Sequence, residues 1–349
     1  MKSSGLGFDY ELPPDRIAQE PPTERDGAKM LVLSRGDGAH LRHRQVVDLP
    51  ELLVPGDLLV VNRSRVFPAR LRAEKLSGGR VEILLLAEAD PGSGVWLAMA
   101  KPMRRLREGE ELQLLSDGSP SGHTLVIRGV GEGTIEVGFP SGLDVTALAE
   151  EVGETPLPPY ILRPTGPRAD DRERYQTVFA REVGSVAAPT AGLHLSEALL
   201  GDLRRKGVEV AEVVLHVGPA TFLAGQPGRE KLAVEPERYR VPEETVDAIR
   251  SRQGQRRVIA VGTTTTRALE SAARQGWPSV EQATDLVITP GTSFLAIDGL
   301  LTNFHLPGSS LLAMICAFLG TPLARKAYEE ALAHDYRFYS FGDAMLALP

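Results

Sequence analysis

Between Ala187 and Ser196 the chain reads Ala-Ala-Pro-Thr-Ala-Gly-Leu-His-Leu-Ser, so a proline, a hydroxyl, a glycine and an imidazole fall close together. Pro189 fixes its own φ and biases Ala188 towards extended backbone. Gly192 permits a positive φ or the close approach of a ligand, and Ser196 is placed to cap a helix beginning at Glu197. A rigid loop carrying Thr190 and His194 suits proton transfer at a bound ligand. It serves equally as a plain strand-to-helix connection whose histidine satisfies a carbonyl. Three further stretches have the same character. Leu215-His216-Val217-Gly218 puts an imidazole at a strand end. Gly262-Thr263-Thr264-Thr265-Thr266-Arg267 follows an apolar strand and opens a helix, where free N–H groups and hydroxyls make a nest for an anion or carboxylate. Glu270 lies three residues beyond Arg267 on nearly the same helix face, as a ligand group or as half of a surface ion pair. Thr302-Asn303-Phe304-His305 precedes another helix. The plainer reading of each stretch is a cap or a satisfied core histidine. All four at strand ends point to one shared mouth.

The elements that must position these groups alternate. Strands are expected over 208–217, 258–261 and 285–289. Helices are expected over 197–206, 243–252, 267–274, 310–319 and 322–333, with Thr321 as the cap of the last. Alternating strands and helices imply an α/β fold with a parallel sheet, open or barrel-like, which gathers ligands at the C-terminal ends of its strands. Leu58-Leu59-Val60-Val61 is an unbroken apolar run, the pattern of a strand buried on both faces. From about residue 70 to 140 the texture changes to short strands with Gly-rich turns, which reads as an inserted all-β sandwich or barrel.

Composition narrows the function. The 349 residues, 42% hydrophobic and 24% charged, describe a soluble globular chain of roughly two domains at ~150 residues each. The single cysteine, Cys316, excludes an internal disulfide framework and argues against a cysteine metal site. A net charge of −7 is awkward for a nucleic-acid binder, although arginines cluster around 163–174 and 250–257. The N-terminus lacks an apolar core of a signal peptide, and the apolar run at 311–319 is shorter than the ~20 residues that span a bilayer. No dinucleotide-binding glycine loop, Walker loop or His-Glu-x-x-His helix occurs. The residues alone therefore indicate an α/β enzyme acting on a small polar ligand.

Over nearly its whole length the chain resembles the S-adenosylmethionine:tRNA ribosyltransferase-isomerase family of queuosine synthesis. The motifs that carry the resemblance run from Phe8-Asp9-Tyr10-Glu11-Leu12-Pro13 and Pro68-Ala69-Arg70-Leu71 through Pro156-Leu157-Pro158-Pro159-Tyr160-Ile161 and Tyr175-Gln176-Thr177-Val178. They continue with the 187–194 stretch, Leu215 to Gly218, Val261 to Thr264, Thr302 to Pro307, and Phe341-Gly342-Asp343-Ala344-Met345. The resemblance implies an incomplete TIM-barrel-like α/β domain over 1–69 and 156–349, interrupted by a small all-β barrel over 70–155. It implies transfer and isomerisation of the ribosyl part of S-adenosylmethionine onto 7-aminomethyl-7-deazaguanine at the tRNA wobble position, giving epoxyqueuosine and releasing adenine and methionine. S-adenosylmethionine is then a substrate. No permanently bound cofactor and no metal are expected. The partner is a tRNA with a GUN anticodon, met by a cytoplasmic monomer without a membrane.

That chemistry needs a base for the C5′ hydrogen beside the sulfonium and a proton donor for the departing adenine. The expected catalytic residues are His194 and His305, with His216. Thr190, Gly192, Thr263, Thr264, Arg267 and Asn303 are expected around S-adenosylmethionine, and Asp9, Glu270 or Asp343 at its ammonium or ribose hydroxyls. Tyr160, Tyr175 and Arg70 are expected on the RNA. The chain departs from the family where a His-x-Met-His-x-Glu run reads Leu232-Ala233-Val234-Glu235-Pro236-Glu237, keeping only the last residue. A diverged RNA-binding paralogue without catalysis, or an enzyme using S-adenosylmethionine on a small molecule, are the alternatives.

Overall fold

Leu58 and Val60 point into one apolar core and Leu59 and Val61 into another, so every residue of strand β3 (Leu58–Asn62) is buried. Each such side chain contributes about 1.5–3 kcal/mol on leaving water, and that is why the run carries no polar alternation. The computed structural model describes residues 8–35, 40–90, 92–164, 166–219, 236–251 and 256–349.

Strand β3 lies in the middle of a nine-stranded open sheet. On one side it pairs in parallel with β12 (Glu209–Leu215), and on the other with β14 (Val258–Val261), which pairs in parallel with β16 (Gly299–Asn303). Beyond these four the sheet turns mixed. Strand β13 (Glu237–Arg240) joins β12 antiparallel, and β15 (Gln282–Thr284) joins β13 likewise. At the other end β17 (Ala344–Leu348) runs antiparallel to β16 and parallel to β1 (Lys29–Ser34), and β2 (Leu41–Gln45) closes the edge. The parallel expectation therefore holds for the four central strands and fails at both margins.

The expected strand at 285–289 is absent; the ladder ends at Thr284. Thr284 Oγ1 accepts from Leu286 N, 3.1 Å, which turns the chain, and Arg267 takes the carbonyls of Thr284 and Leu286. Those oxygens are then lost to a strand ladder. Two helix starts can be compared with their expected caps. Ser196 Oγ accepts from Leu199 N at the head of Glu197–Arg205, as expected. In Thr321–Ala333 the cap is instead Gly320, with φ 78°.

Strands β5 (Arg70–Lys75), β6 (Arg80–Glu88), β7 (Val95–Lys101), β8 (Glu111–Ser116), β9 (Ser119–Val130) and β10 (Ile135–Gly138) close into an antiparallel barrel in the order β10-β7-β6-β5-β8-β9. Its interior is a separate apolar cluster, including Leu71, Ile83, Ala98, Leu112, Ile127 and Val137, against which helix Val145–Val152 packs. The α/β fold with a closed all-β barrel is the architecture expected of the resemblance. Among the described residues no single helix is long and apolar enough to cross a membrane, and Ser310–Leu319 and Thr321–Ala333 are bent by 115° at their junction.

Candidate active site

The four parallel strands end in Asn62, Leu215, Val261 and Asn303; the His216, Thr263 and His305 stretches leave from the last three, whereas the 187–194 stretch follows β11 (Glu182–Ser185) of a separate two-stranded sheet. Here free backbone groups and polar side chains meet outside the apolar layers, which is the usual ligand position in such sheets.

Asn303 organises the centre. Thr190 Oγ1 donates to its Oδ1, 3.2 Å, and its Nδ2 donates to the Tyr339 carbonyl, 3.1 Å. A carbonyl only accepts, so this contact fixes which end of the amide is nitrogen. The same Nδ2 lies 3.0 Å from His194 Nε2, which must then be the unprotonated ring nitrogen. His194 is thus a neutral imidazole with its proton on Nδ1. Burial, helped by the charge of Arg337, pushes its pKa down to about 4. The geometry and the electrostatics agree.

His305 stands two residues further along. Its Nε2 lies 2.9 Å from Thr302 Oγ1, and that hydroxyl also donates to the Asn303 carbonyl at 3.4 Å. Thr302 Oγ1 and His305 Nε2 thus share one hydrogen bond, which holds the ring in place. Burial pushes the His305 pKa down to about 3. Its backbone is clamped: Tyr328 Oη receives its N–H at 3.1 Å, and Tyr10 Oη donates to its carbonyl. Asp9, exposed beside Tyr10, sits at this rim.

The third imidazole is set apart. His216 follows β12, three strand spacings from β16, or roughly 14 Å at ~4.8 Å per strand. It is 8% exposed, and burial, with Arg238 nearby, lowers its pKa. Among the described residues its Nδ1 finds no hydrogen-bond partner. Gly184, with φ 147°, lies so close that a Cβ there would be 2.5 Å from that nitrogen. Gly184 belongs to β11 (Glu182–Ser185), which pairs with β4 (Ser64–Val66) through an irregular register at this residue. Between the histidines, Asn62 bonds both backbone groups of Leu215 and donates to Thr264 Oγ1 at 3.4 Å.

The threonine run opens helix Thr263–Arg274 from Gly262, whose φ is 91° and which no side chain caps. Its first N–H groups face the mouth, with Ala191 Cβ 3.4 Å from where a Cβ on Gly262 would stand. Thr265 and Thr266 turn inward and donate to the carbonyls of Val261 and Gly262. Thr263 and Thr264 remain as the hydroxyls of the nest. Gly192 is needed for packing, since a Cβ there would lie 2.7 Å from Phe179 Cζ.

Other expected site residues are held by the scaffold. Arg267 and Glu270 form no surface pair; they are 6% and 0% exposed. Arg267 Nη1 binds Glu237 Oε2 at 2.5 Å, and Glu237 Oε1 accepts from Gly218 N. Glu270 accepts from Leu295 N, Ala296 N and Arg274. Both charges tie down neighbouring loops. Asp343 is buried, accepting from Lys29 N at 2.9 Å and Arg337 N at 2.7 Å, and burial raises its pKa. Tyr175, 1% exposed, packs edge-on against Phe341 and offers no open face for a base. Arg70 Nη2 donates to the Leu157 carbonyl where the barrel leaves the sheet. Tyr160 is closer to the mouth, edge-on to Tyr339 at 3.9 Å between centroids, with its hydroxyl 2.6 Å from Ser340 Oγ. A polar cleft of roughly 500 Å³ at the barrel junction is lined by Arg25, Arg65, Arg172, Tyr175 and Gln176.

Sequence reasoning passed over Tyr339 and Gly184. Tyr339 holds φ 75°, a conformation bulky residues rarely adopt, and its carbonyl orients Asn303. Nothing in the sequence marks that strain. A glycine inside a strand, by contrast, is a sign of close approach that could have been read at Gly184.

With this geometry in place, the likeness to known proteins is specific. A sequence model of the family described as Queuosine biosynthesis protein matches residues 6–347. The chain belongs to that family. It is 48% identical over 349 residues to the S-adenosylmethionine:tRNA ribosyltransferase-isomerase of Thermus thermophilus, covering 98% of each chain. To the protein of that name from Thermotoga maritima it is 46% identical over 347 residues, again covering 98% of each. The crystal structure of an S-adenosylmethionine tRNA ribosyltransferase from Thermotoga maritima superposes with a TM-score of 0.55 at 38% identity, covering 98% of this chain and 99% of that one. Within this family frame, Glu237, the residue kept from the His-x-Met-His-x-Glu run, is the buried partner of Arg267. Residues 232–235 lie outside the described residues.

Proposed function

We propose that the chain transfers and isomerises the ribosyl moiety of S-adenosylmethionine onto 7-aminomethyl-7-deazaguanine in the wobble position of a GUN-anticodon tRNA, acting as a cytoplasmic monomer. The observation that carries this reading is the pair of buried, neutral imidazoles, His194 and His305, that meet around Asn303 at the end of β16. The names of its relatives supply S-adenosylmethionine, tRNA and ribosyl transfer.

The two histidines divide the work. His305, held by Thr302, takes the C5′ proton that the sulfonium acidifies. His194 offers Nδ1–H to the departing adenine as a neutral hydrogen-bond donor, the way a low-pKa imidazole polarises a leaving or developing oxyanion without first being protonated. The electron pair of the glycosidic bond leaves with adenine; the neutral amine of the deazaguanine then bonds to the ribosyl carbon skeleton and gives up a proton, and the electron pair of the C5′–S bond leaves with methionine. The helix N-terminus at Thr263 and Thr264 binds the methionine carboxylate. His216, roughly 14 Å away along the strand ends, meets the far end of the bound nucleoside or the incoming amine. Tyr160 and the arginine-lined cleft at the barrel junction serve the RNA.

The test is incubation with S-adenosylmethionine and tRNA carrying the deazaguanine, followed by mass spectrometry of the tRNA. Adenine release that depends on this tRNA, with the epoxyqueuosine mass on the product, is expected. Binding of tRNA without adenine release would mark a non-catalytic paralogue. Release without tRNA, insensitive to salt, would mark a small-molecule substrate, because RNA binding weakens as salt rises.

A further inference from the structure

On the far edge of the sheet, away from the mouth, strand β2 brings His43 against the C-terminal end of helix Thr321–Ala333. Glu330 and His334 lie one helical turn apart there. Glu330 Oε1 sits 3.1 Å from His43 Nε2 and 3.2 Å from His334 Nδ1, and one donor atom from each residue falls within 4.8 Å of the others. The side chains are 41%, 31% and 50% exposed, so solvent ions reach them.

Two imidazoles and a carboxylate within 4.8 Å of one another, two of the separations being 3.1 and 3.2 Å, are within reach of one tetrahedral ion. With bonds of about 2.0–2.1 Å, adjacent ligands stand about 3.3–3.5 Å apart, and three protein donors leave a fourth position for water. His334 Nδ1 also lies 3.0 Å from the Glu330 carbonyl, so an ion would displace the protons on both imidazole nitrogens and break that bond. The support behind His43 is already built: its Nδ1 lies 3.0 Å from Tyr336 Oη, and Tyr336 is 1% exposed. A ligating histidine donates its other N–H to such a partner, and a hydroxyl both donates and accepts. We propose that His43, Glu330 and His334 bind one divalent transition-series cation such as Zn²⁺, pinning the edge strand to the last helix. Nitrogen ligands favour zinc, nickel or copper over magnesium and calcium.

Calorimetric titration of the full-length protein with ZnCl₂ at pH 7.5, in a non-coordinating buffer, tests this. One site is expected, together with a rise in Tm. His43→Ala and His334→Ala should each weaken it at least about tenfold, and Tyr336→Phe by about tenfold through the lost support. His123→Ala, on the barrel, should leave it unchanged. No heat and no rise in Tm with the parent protein, or equal affinity in both histidine variants, overturns the proposal. Neither result bears on ribosyl transfer, which is read separately as adenine release.

Discussion

Two sets of buried polar groups sit within a few residues of one another and behave oppositely. The charged set is saturated. Arg267 is spent on Glu237 and two carbonyls, Glu270 on two backbone N–H groups and Arg274, and Asp343 on two backbone N–H groups. Among the described residues the neutral set is left partly open: the His216 Nδ1 has no partner, the helix at Thr263 has no side-chain cap, and each of His194 and His305 keeps one ring nitrogen outside the bonds that fix it. The lesson is that buried charge here holds loops in place, while uncharged imidazoles, amides and hydroxyls are the groups left with bonding capacity, which is why the proposed function rests on them. That follows from cost, since a buried charge without a partner is far less tolerable than a buried neutral group.

The sharpest way to break the comparison is to remove one member of each set. His194→Ala should lower turnover by about 10²–10⁴-fold while S-adenosylmethionine binding, followed by calorimetry, changes much less. Glu237→Ala should do the reverse. Leaving Arg267 buried and unpaired costs about 3–5 kcal/mol, read as a lower midpoint in urea, with the residual folded protein still turning over. If Glu237→Ala were fully stable and inactive, the two sets would have to be reassigned.

Acid sharpens the contrast. His194 and His305 have folded pKa values of about 4 and about 3, below the unfolded value of about 6.5. Between these values the unfolded chain binds more protons, so stability rises with pH across the window and falls as pH drops from 6.5 towards 4 and 3. Thermal melts over pH 7 to 4 should show this loss, and His194→Gln should reduce it. A melt insensitive to that substitution would mean the imidazole is not buried as described. The smallest effect belongs to the scaffold: Ser196→Ala removes the cap on Glu197–Arg205 and should cost about 1 kcal/mol with little change in rate.

What could be read in advance follows the range of the interactions. Leu58 to Val61, the Ser196 cap and the barrel strands are encoded locally, by pattern and turn chemistry, and stand as read. The rule that loops leaving parallel strands share an end made the Thr263 and Asn303–His305 stretches legible, but Thr190 and His194 arrive from β11 of the separate two-stranded sheet and reach Asn303 by hydrogen bonds no local pattern shows. Arg267 and Glu270 looked like a pair because they are three apart on a helix; their true partners, Glu237 and Arg274 with Leu295, depend on how distant loops pack. Tyr175 looked like a stacking platform because an aromatic residue does not declare which way it faces. The positive φ of Tyr339, which orients Asn303, leaves no trace in the sequence.

The account rests on His194 standing neutral with Asn303 at its Nε2, and the ¹⁵N NMR spectrum of the imidazoles reports this directly. At pH 7 the His194 resonances should show a protonated Nδ1 and an unprotonated Nε2, shifting together in Asn303→Ala. An imidazolium at that pH, or a proton found on Nε2, would contradict it.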